Sequence, residues 1–405
     1  MPLGRFAGCA VADRFPATYL QEWYADAHDS GLSDLSVSVA VPLPHDYDET
    51  CLRLALADLA ARHEAFRTTL VRTPAGLRQE VAAAGSVPLA EPGTAHEPFR
   101  VVGGPLVWAE PLAAAVVVHA HHAVCDGWST ELVRRDLAEL YRARSTGCEP
   151  VLPRLDLQFA DYASWEHTAR HLPPPEYWLT RLDRPRPRLA ADSDADQRPA
   201  RLRTVPLPRV QATAARQLEV LAAVLQTTMS RLLGAVAVAT LLPFAGDGIV
   251  IGQIMSNRHR PELRNVVGDL WDQVPVPVDL SGLFGPAAFA ELAARYDEAV
   301  TGAQDHHVPV AVLAPVLRPG PGPLFDVRVN HFPDIGHADA PPPRPLTVDR
   351  WWTGLSLIDF QFRTRADGGV DGALLVNEAA VPTARVAEIT RRFGQTVTDA
   401  AAVRC

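Results

Sequence analysis

The chain has 405 residues, 47% of them hydrophobic, and a net charge of −9, with all 38 of its Lys+Arg positions arginine because no lysine occurs. That composition excludes a Schiff-base lysine, a pyridoxal-phosphate lysine and a Walker-type phosphate loop. The acidic balance gives no bulk attraction to nucleic acid, and the length calls for two domains or lobes rather than one. The five cysteines (Cys9, Cys51, Cys125, Cys148, Cys405) are scattered and form no C-x-x-C pair. A reduced, cytoplasmic protein is the expected setting. The N-terminus shows no basic segment followed by an apolar run, so no secretory signal is expected.

Alternation of β-branched residues predicts a strand over 35–43 (LSVSVAVPL). Leu52, Leu56, Leu59 and Phe66 recur at helical spacing and predict a helix over 48–70. The nearly continuous apolar run PLAAAVVVHA (111–120) reads as a central strand. Residues 129–143 form an amphipathic helix with Leu132, Val133, Leu137, Leu140 and Tyr141 on one face and Ser129 placed to cap it. A helical stretch over 159–178 is broken by three prolines, and 183–203, dense in Pro, Asp and Arg, reads as a linker or crossover. Beyond it, a long helix is expected over about 209–242, a strand over 247–255, a helix over 286–304, strands over 324–332, 357–365 and 372–379, and a final helix from about 382. The apolar run LLGAVAVATLL (232–242) is too short to span a bilayer and reads as a buried helix, so no membrane partner is expected. The result is an α/β protein of two lobes, residues 1–172 and 173–405, the second including the crossover. GDGIVIG (246–252) precedes a strand instead of joining strand to helix, which is the wrong setting for a dinucleotide loop. PGPGP (319–323) is a stiff loop.

One stretch concentrates chemistry: VHAHHAVCDGWS (118–129), with His119, His121 and His122 followed by Cys125, Asp126 and Gly127. Two imidazoles on one strand face begin a zinc site. The dinuclear hydrolase pattern H-x-H-x-D-H, however, needs Asp and His where this chain has Ala123 and Val124. Cys125 as nucleophile requires an oriented base, and none is indicated; a small buried filler is the plainer reading. A single histidine acting as general base or proton-positioning group suits an imidazole whose ordinary pKa is about 6.5.

HHAVCDG (121–127) resembles the H-H-x-x-x-D-G motif of condensation domains of nonribosomal peptide synthetases, within the superfamily that includes chloramphenicol acetyltransferase. The resemblance runs in order along most of the chain, through RHEAFRTTL (62–70), FADYASW (159–165), 251–278, QDHHVPVAVL (304–313) and PLFDVRVN (323–330). It implies two chloramphenicol-acetyltransferase-like lobes arranged as a V with an active-site tunnel between them. A peptidyl or acyl carrier protein brings the donor thioester on its phosphopantetheine arm, and a small-molecule or carrier-bound acceptor enters from the other side. No bound cofactor or metal is implied. By the same resemblance His122 is the catalytic residue, and His121, Asp126 and Arg258 are structural at the active site, with Asp126 pairing with Arg258. Trp128, Ser129 and Asn330 fall along the substrate tunnel, where Trp128 and Ser129 serve equally well in packing and capping. The backbone N–H of Gly127 is a candidate oxyanion donor. His63, Arg67, Asp161 and Trp165 read as packing residues of the lobe.

The expected activity is amide formation from a carrier-bound acyl or aminoacyl thioester, or ester formation with a hydroxyl acceptor. The alternatives are a coenzyme A-dependent acyltransferase and a non-catalytic module that recruits partner proteins. The chain departs from the family pattern at 17–26, where the first segment is barely recognisable. It departs again at Asp269 and Asp272, which stand where aromatic and asparagine residues are usual, and at Gln253 and Met255.

Overall fold

The computed structural model describes residues 13–29, 35–91, 98–169, 171–182, 187–190, 202–258, 260–283, 288–317, 325–332 and 356–403. Cys9, Cys405, the 319–323 loop and most of the 183–203 crossover lie outside them. The chain divides into two compact units. The first comprises the described residues of Met1–His171 together with Ser256–Trp271; the second comprises those of Leu172–Met255, Asp272–Ala338 and Val348–Cys405. The segment that enters the first unit from the second half of the sequence carries Arg258 and Asp269.

In chain order the first unit contains β1 (Asp13–Pro16), α1 (Tyr19–Asp29), β2 (Ser36–Pro42), α2 (Glu49–Arg62), β3 (Thr68–Thr73), β4 (Gly76–Val81), β5 (Val107–Leu112), β6 (Ala115–His121), α3 (Gly127–Thr146) and α4 (Phe159–Ala169). Two antiparallel three-stranded sheets result, in the orders β1-β4-β3 and β2-β6-β5. Helix α2 starts where the Asp48 carboxylate accepts the Cys51 N–H at 3.0 Å, and it buries Leu52, Ala55, Leu56, Leu59 and Ala60. The helix predicted to reach residue 70 stops at Arg62. His63 is extended and its ring is bound to the buried Asp136 carboxylate at 2.8 Å, after which a short 3-10 turn leads into β3. The apolar run read as one strand over 111–120 is the end of β5, a two-residue turn and β6. Its Val116–Val118 are buried, and β6 is the central strand, paired on both edges.

The second unit holds α5 (Glu176–Arg181), β7 (Leu202–Pro206), α6 (Ala212–Val224), α7 (Met229–Leu241), β8 (Gly248–Met255), β9 (Asp272–Asp279), α8 (Ala288–Asp305), α9 (Val310–Leu317), β10 (Phe325–Phe332), β11 (Ser356–Thr364), β12 (Val370–Asn377) and α10 (Thr383–Ala401). Its mixed sheet runs β7-β12-β11-β10-β8-β9, with β10 parallel to both β8 and β11. The helix expected over 209–242 is two helices bent by 106°. Gln226 turns left-handed at φ 54°, and the Thr228 hydroxyl caps α7 by accepting from the Arg231 N–H. Among the described residues no single helix is long and apolar enough to cross a membrane; in the bent α6–α7 pair, Leu218 and Leu221 of α6 and Leu232, Leu233, Val236, Val238 and Leu241 of α7 lie in this unit's core, while Val220 and Val224 are exposed. Pro275 and Pro277 sit on β9, at an edge of the sheet, where a strand tolerates missing N–H donors and resists further pairing.

Candidate active site

Strand β6 delivers the histidines, and its end separates them. His119 remains in the strand, stacks on Trp108 at 4.0 Å between centroids, and shares a 2.7 Å hydrogen bond between Nδ1 and Ser38 Oγ. His121 is the last strand residue and is buried. Its Nδ1 accepts the Ala123 N–H at 3.0 Å, and its ring meets Tyr24 and Phe99 edge-on. Burial, reinforced by His122 and His28, pushes its pKa down to about 3, so it is a neutral imidazole with its proton on Nε2. His122 leaves strand geometry and opens a 3-10 turn, fixed by its own N–H to the Leu35 carbonyl at 2.7 Å. The three rings therefore point to three different surroundings instead of converging on one ion.

Asp126 ends that turn and starts α3. It is the N-cap: its Oδ1 accepts the Ser129 N–H at 2.8 Å, which assigns to Asp126 the capping role expected of Ser129. Arg258 grips the same carboxylate with two bonds, Nη1 to Oδ2 at 2.6 Å and Nη2 to Oδ1 at 3.1 Å, with the Arg side chain 1% exposed. The Leu270 N–H adds a fourth donor at 3.1 Å. Ser129, expected along the substrate tunnel, is wholly buried and its hydroxyl is engaged inside the turn. It donates to the Gly268 carbonyl at 2.9 Å and accepts from the Gly268 N–H and from Arg258 Nη2. Gly268 must be glycine here, because a Cβ would lie 2.4 Å from the Phe159 ring of α4. Bidentate, charge-assisted bonds of this kind are the strong ones, and here they lock the turn that carries His122.

A second carboxylate stands on the imidazole side. Asp269 is 1% exposed, and its Oδ1 lies 3.6 Å from His122 Nδ1. Its Oδ2 accepts the Tyr24 O–H at 3.0 Å, and Tyr24 stacks on the His122 ring at 6.3 Å. Burial pushes the Asp269 carboxyl up to about 6, with the Asp126 charge adding to the rise and His122 and Tyr24 opposing it. The Nδ1 edge of His122 is buried while the side chain as a whole is 24% exposed, so the accessible face belongs to the other ring atoms.

Of the other expected site residues, Gly127 is the first helical residue of α3 and is exposed. Its N–H has no acceptor within the helix, and a Cβ there would meet nothing within 4 Å. Trp128 is half exposed and tethered through its indole N–H to the Arg264 carbonyl at 3.1 Å, with the Arg258 guanidinium over its ring at 6.0 Å. Asn330 lies in the other unit, on β10, where its amide donates to Gln361 at 3.3 Å. Cys125 is buried, and burial pushes its thiol well up, so it stays a neutral filler. Sequence reasoning did not assign Tyr24 and Asp269 to the site. The one available signal was Asp269 itself, an acidic residue at a departure from the family pattern.

The condensation-domain family model matches residues 11–334. The chain belongs to the condensation-domain family. Phosphinothricin tripeptide synthetase PhsC of Streptomyces viridochromogenes is 31% identical over 297 residues, which is 62% of this chain and 26% of that synthetase. Cyclosporin synthetase simA of Tolypocladium inflatum is 29% identical over 290 residues, 61% of this chain and 2% of that synthetase. The chain thus spans about a quarter of the first relative's length and a far smaller share of the second. Among solved structures, the X-domain in complex with OxyB from teicoplanin biosynthesis superposes with a TM-score of 0.74 at 24% identity, covering 99% of this chain and 95% of that one. At these identities the likeness is one of fold, and the chain has the mixed α/β, chloramphenicol-acetyltransferase-like fold of condensation domains.

Proposed function

We propose that this condensation domain joins a carrier-protein-bound acyl or aminoacyl thioester to an amine, forming an amide, with His122 receiving or positioning the acceptor's proton. The observation that carries the reading is the placement of His122. Its ring is presented at the end of a doubly paired strand, on a turn locked by the Asp126–Arg258 pair, with one edge open and the other buried.

The steps follow from ordinary amine and thioester chemistry. A free α-amine has a pKa of about 7.7–8.0, so a useful fraction is neutral near pH 7. Its lone pair attacks the thioester carbonyl carbon, and the N–C bond forms as the proton passes to His122 Nε2. The tetrahedral oxyanion is met by the Gly127 N–H at the start of α3, where unpaired amides and the helix dipole favour negative charge. Collapse breaks the C–S bond, and the proton leaves with the phosphopantetheine thiolate as a thiol. A hydroxyl acceptor on the same path gives an ester. Ser129, Arg258 and Asp126 hold the turn and do not touch the reacting atoms.

The test is mass spectrometry of reaction mixtures containing this protein, with acyl-loaded carrier protein or acyl-coenzyme A as donor and a panel of amines and alcohols as acceptors. Carrier-dependent amide or ester product supports the proposal. Turnover of acyl-coenzyme A without a carrier overturns the carrier-bound donor. Loss of all turnover with every donor overturns catalysis and favours a role in recruiting other proteins.

A further inference from the structure

Two buried polar atoms face each other across 3.6 Å without a hydrogen-bond partner among the described residues: His122 Nδ1 and Asp269 Oδ1. Leaving a buried donor or acceptor unpaired is costly, so two in register point to a bond that forms in use. On the far side of Asp269, Tyr24 donates its O–H to Oδ2, leaving Oδ1 for the imidazole. All three residues belong to the same unit. The remaining charged neighbour of Asp269, Asp126, is already taken by Arg258.

We propose that Asp269 is a positioning residue for His122: its Oδ1 accepts the Nδ1–H of the imidazole and so holds the tautomer whose lone pair is on Nε2, the atom that meets the acceptor. The catalytic use of that tautomer rests on the function proposed above; the tautomer itself does not. The gap is somewhat long for a hydrogen bond and closes with a small rotation of either side chain, as catalytic contacts commonly do on substrate binding. The neighbouring histidine shows the contrast. His121 has its Nδ1 occupied by a backbone N–H and carries its proton on Nε2, the wrong tautomer for a base at that nitrogen. Of the adjacent pair, only His122 has an acceptor facing its Nδ1.

The test is 15N–1H long-range correlation NMR of the full chain labelled at histidine, with His122 assigned from the spectrum of His122→Gln. Above the titration of the ring, the wild type is expected to show His122 protonated at Nδ1. In Asp269→Asn, Tyr24 continues to donate to the amide oxygen, so the amide NH2 faces Nδ1 and the ring is expected to switch to the Nε2–H form. In the mass-spectrometric assay, the same variant should lose about 10²–10⁴-fold in kcat, the range for removing acid–base assistance, with KM for the acceptor little changed. A wild-type ring protonated at Nε2 overturns the proposal whatever the variant does, as does an Asp269→Asn spectrum that keeps the Nδ1–H form. If the Nδ1–H tautomer is present while no donor turns over, the catalytic reading fails and the Asp269–His122 pairing stands.

Discussion

Asp126 and Asp269 are both almost fully buried beside the same histidine turn, yet they meet the cost of a buried carboxylate in opposite ways. Asp126 accepts four hydrogen bonds, two of them from a guanidinium. Asp269 accepts one, from Tyr24, and its other oxygen has no hydrogen-bond partner among the described residues. A fully paired charge acts as a brace, and removing its partner leaves an uncompensated ion. A half-paired one stays poised between charged and neutral near pH 6 and is costly to the fold. The difference separates the residue that holds the turn from the one that addresses the imidazole.

The comparison breaks most visibly on the Asp126 side. Arg258→Ala strands the buried carboxylate and is expected to destabilise the first unit by about 3–5 kcal/mol, read as a lower urea midpoint. On the other side the sign reverses. The folded pKa of Asp269 is raised above the ordinary carboxylate value to about 6. The group therefore favours the fold below about pH 4, and that contribution is lost as pH rises through about 6. Asp269→Asn is accordingly expected to be more stable than wild type at pH 7, on the order of 2 kcal/mol, with the gain shrinking as pH falls from 6 towards 4. His122, Tyr24 and Asp126 are the titratable groups that face it, and denaturation at several pH values reads the sum. An equal loss of stability in both variants would erase the distinction.

Smaller effects sharpen it. At Gly127 a Cβ meets open space and the backbone is not left-handed, so Gly127→Ala should leave stability unchanged or raise it by about 0.4–1 kcal/mol. If the N–H there serves the oxyanion, the added methyl crowds its approach and turnover falls about tenfold with the unfolding midpoint held. His119, stacked on Trp108 away from the turn, is the low end of the series: His119→Gln should keep turnover within about twofold.

Much of the brace was legible in the sequence. HHAVCDG placed His122, Asp126 and Gly127 on one turn, and the resemblance paired Asp126 with an arginine 132 residues away. Local pattern located most of the helices and half of the described strands, leaving β1, β3, β4, β7 and β9 unread and β5 merged with β6. It missed the breaks, because periodicity carries no mark of the left-handed Gln226 between α6 and α7 or of the extended His63 after α2, whose ring is held by Asp136. It also assigned the α3 cap to Ser129, since both Asp126 and Ser129 are good capping residues; in the structure Asp126 stands outside the helix and accepts the Ser129 N–H. The Tyr24–Asp269–His122 array was not legible. Its three members are far apart in sequence, and the segment around Tyr24 is where the family pattern is faintest.

The proposed role of His122 is to handle the acceptor's proton. Its most direct test compares wild type with His122→Ala in single-turnover assays with an acyl-loaded carrier protein and an amine shown to react. A fall of about 10²–10⁴-fold with an unchanged unfolding midpoint is expected; a His122→Ala protein that retains near-full rate overturns that role.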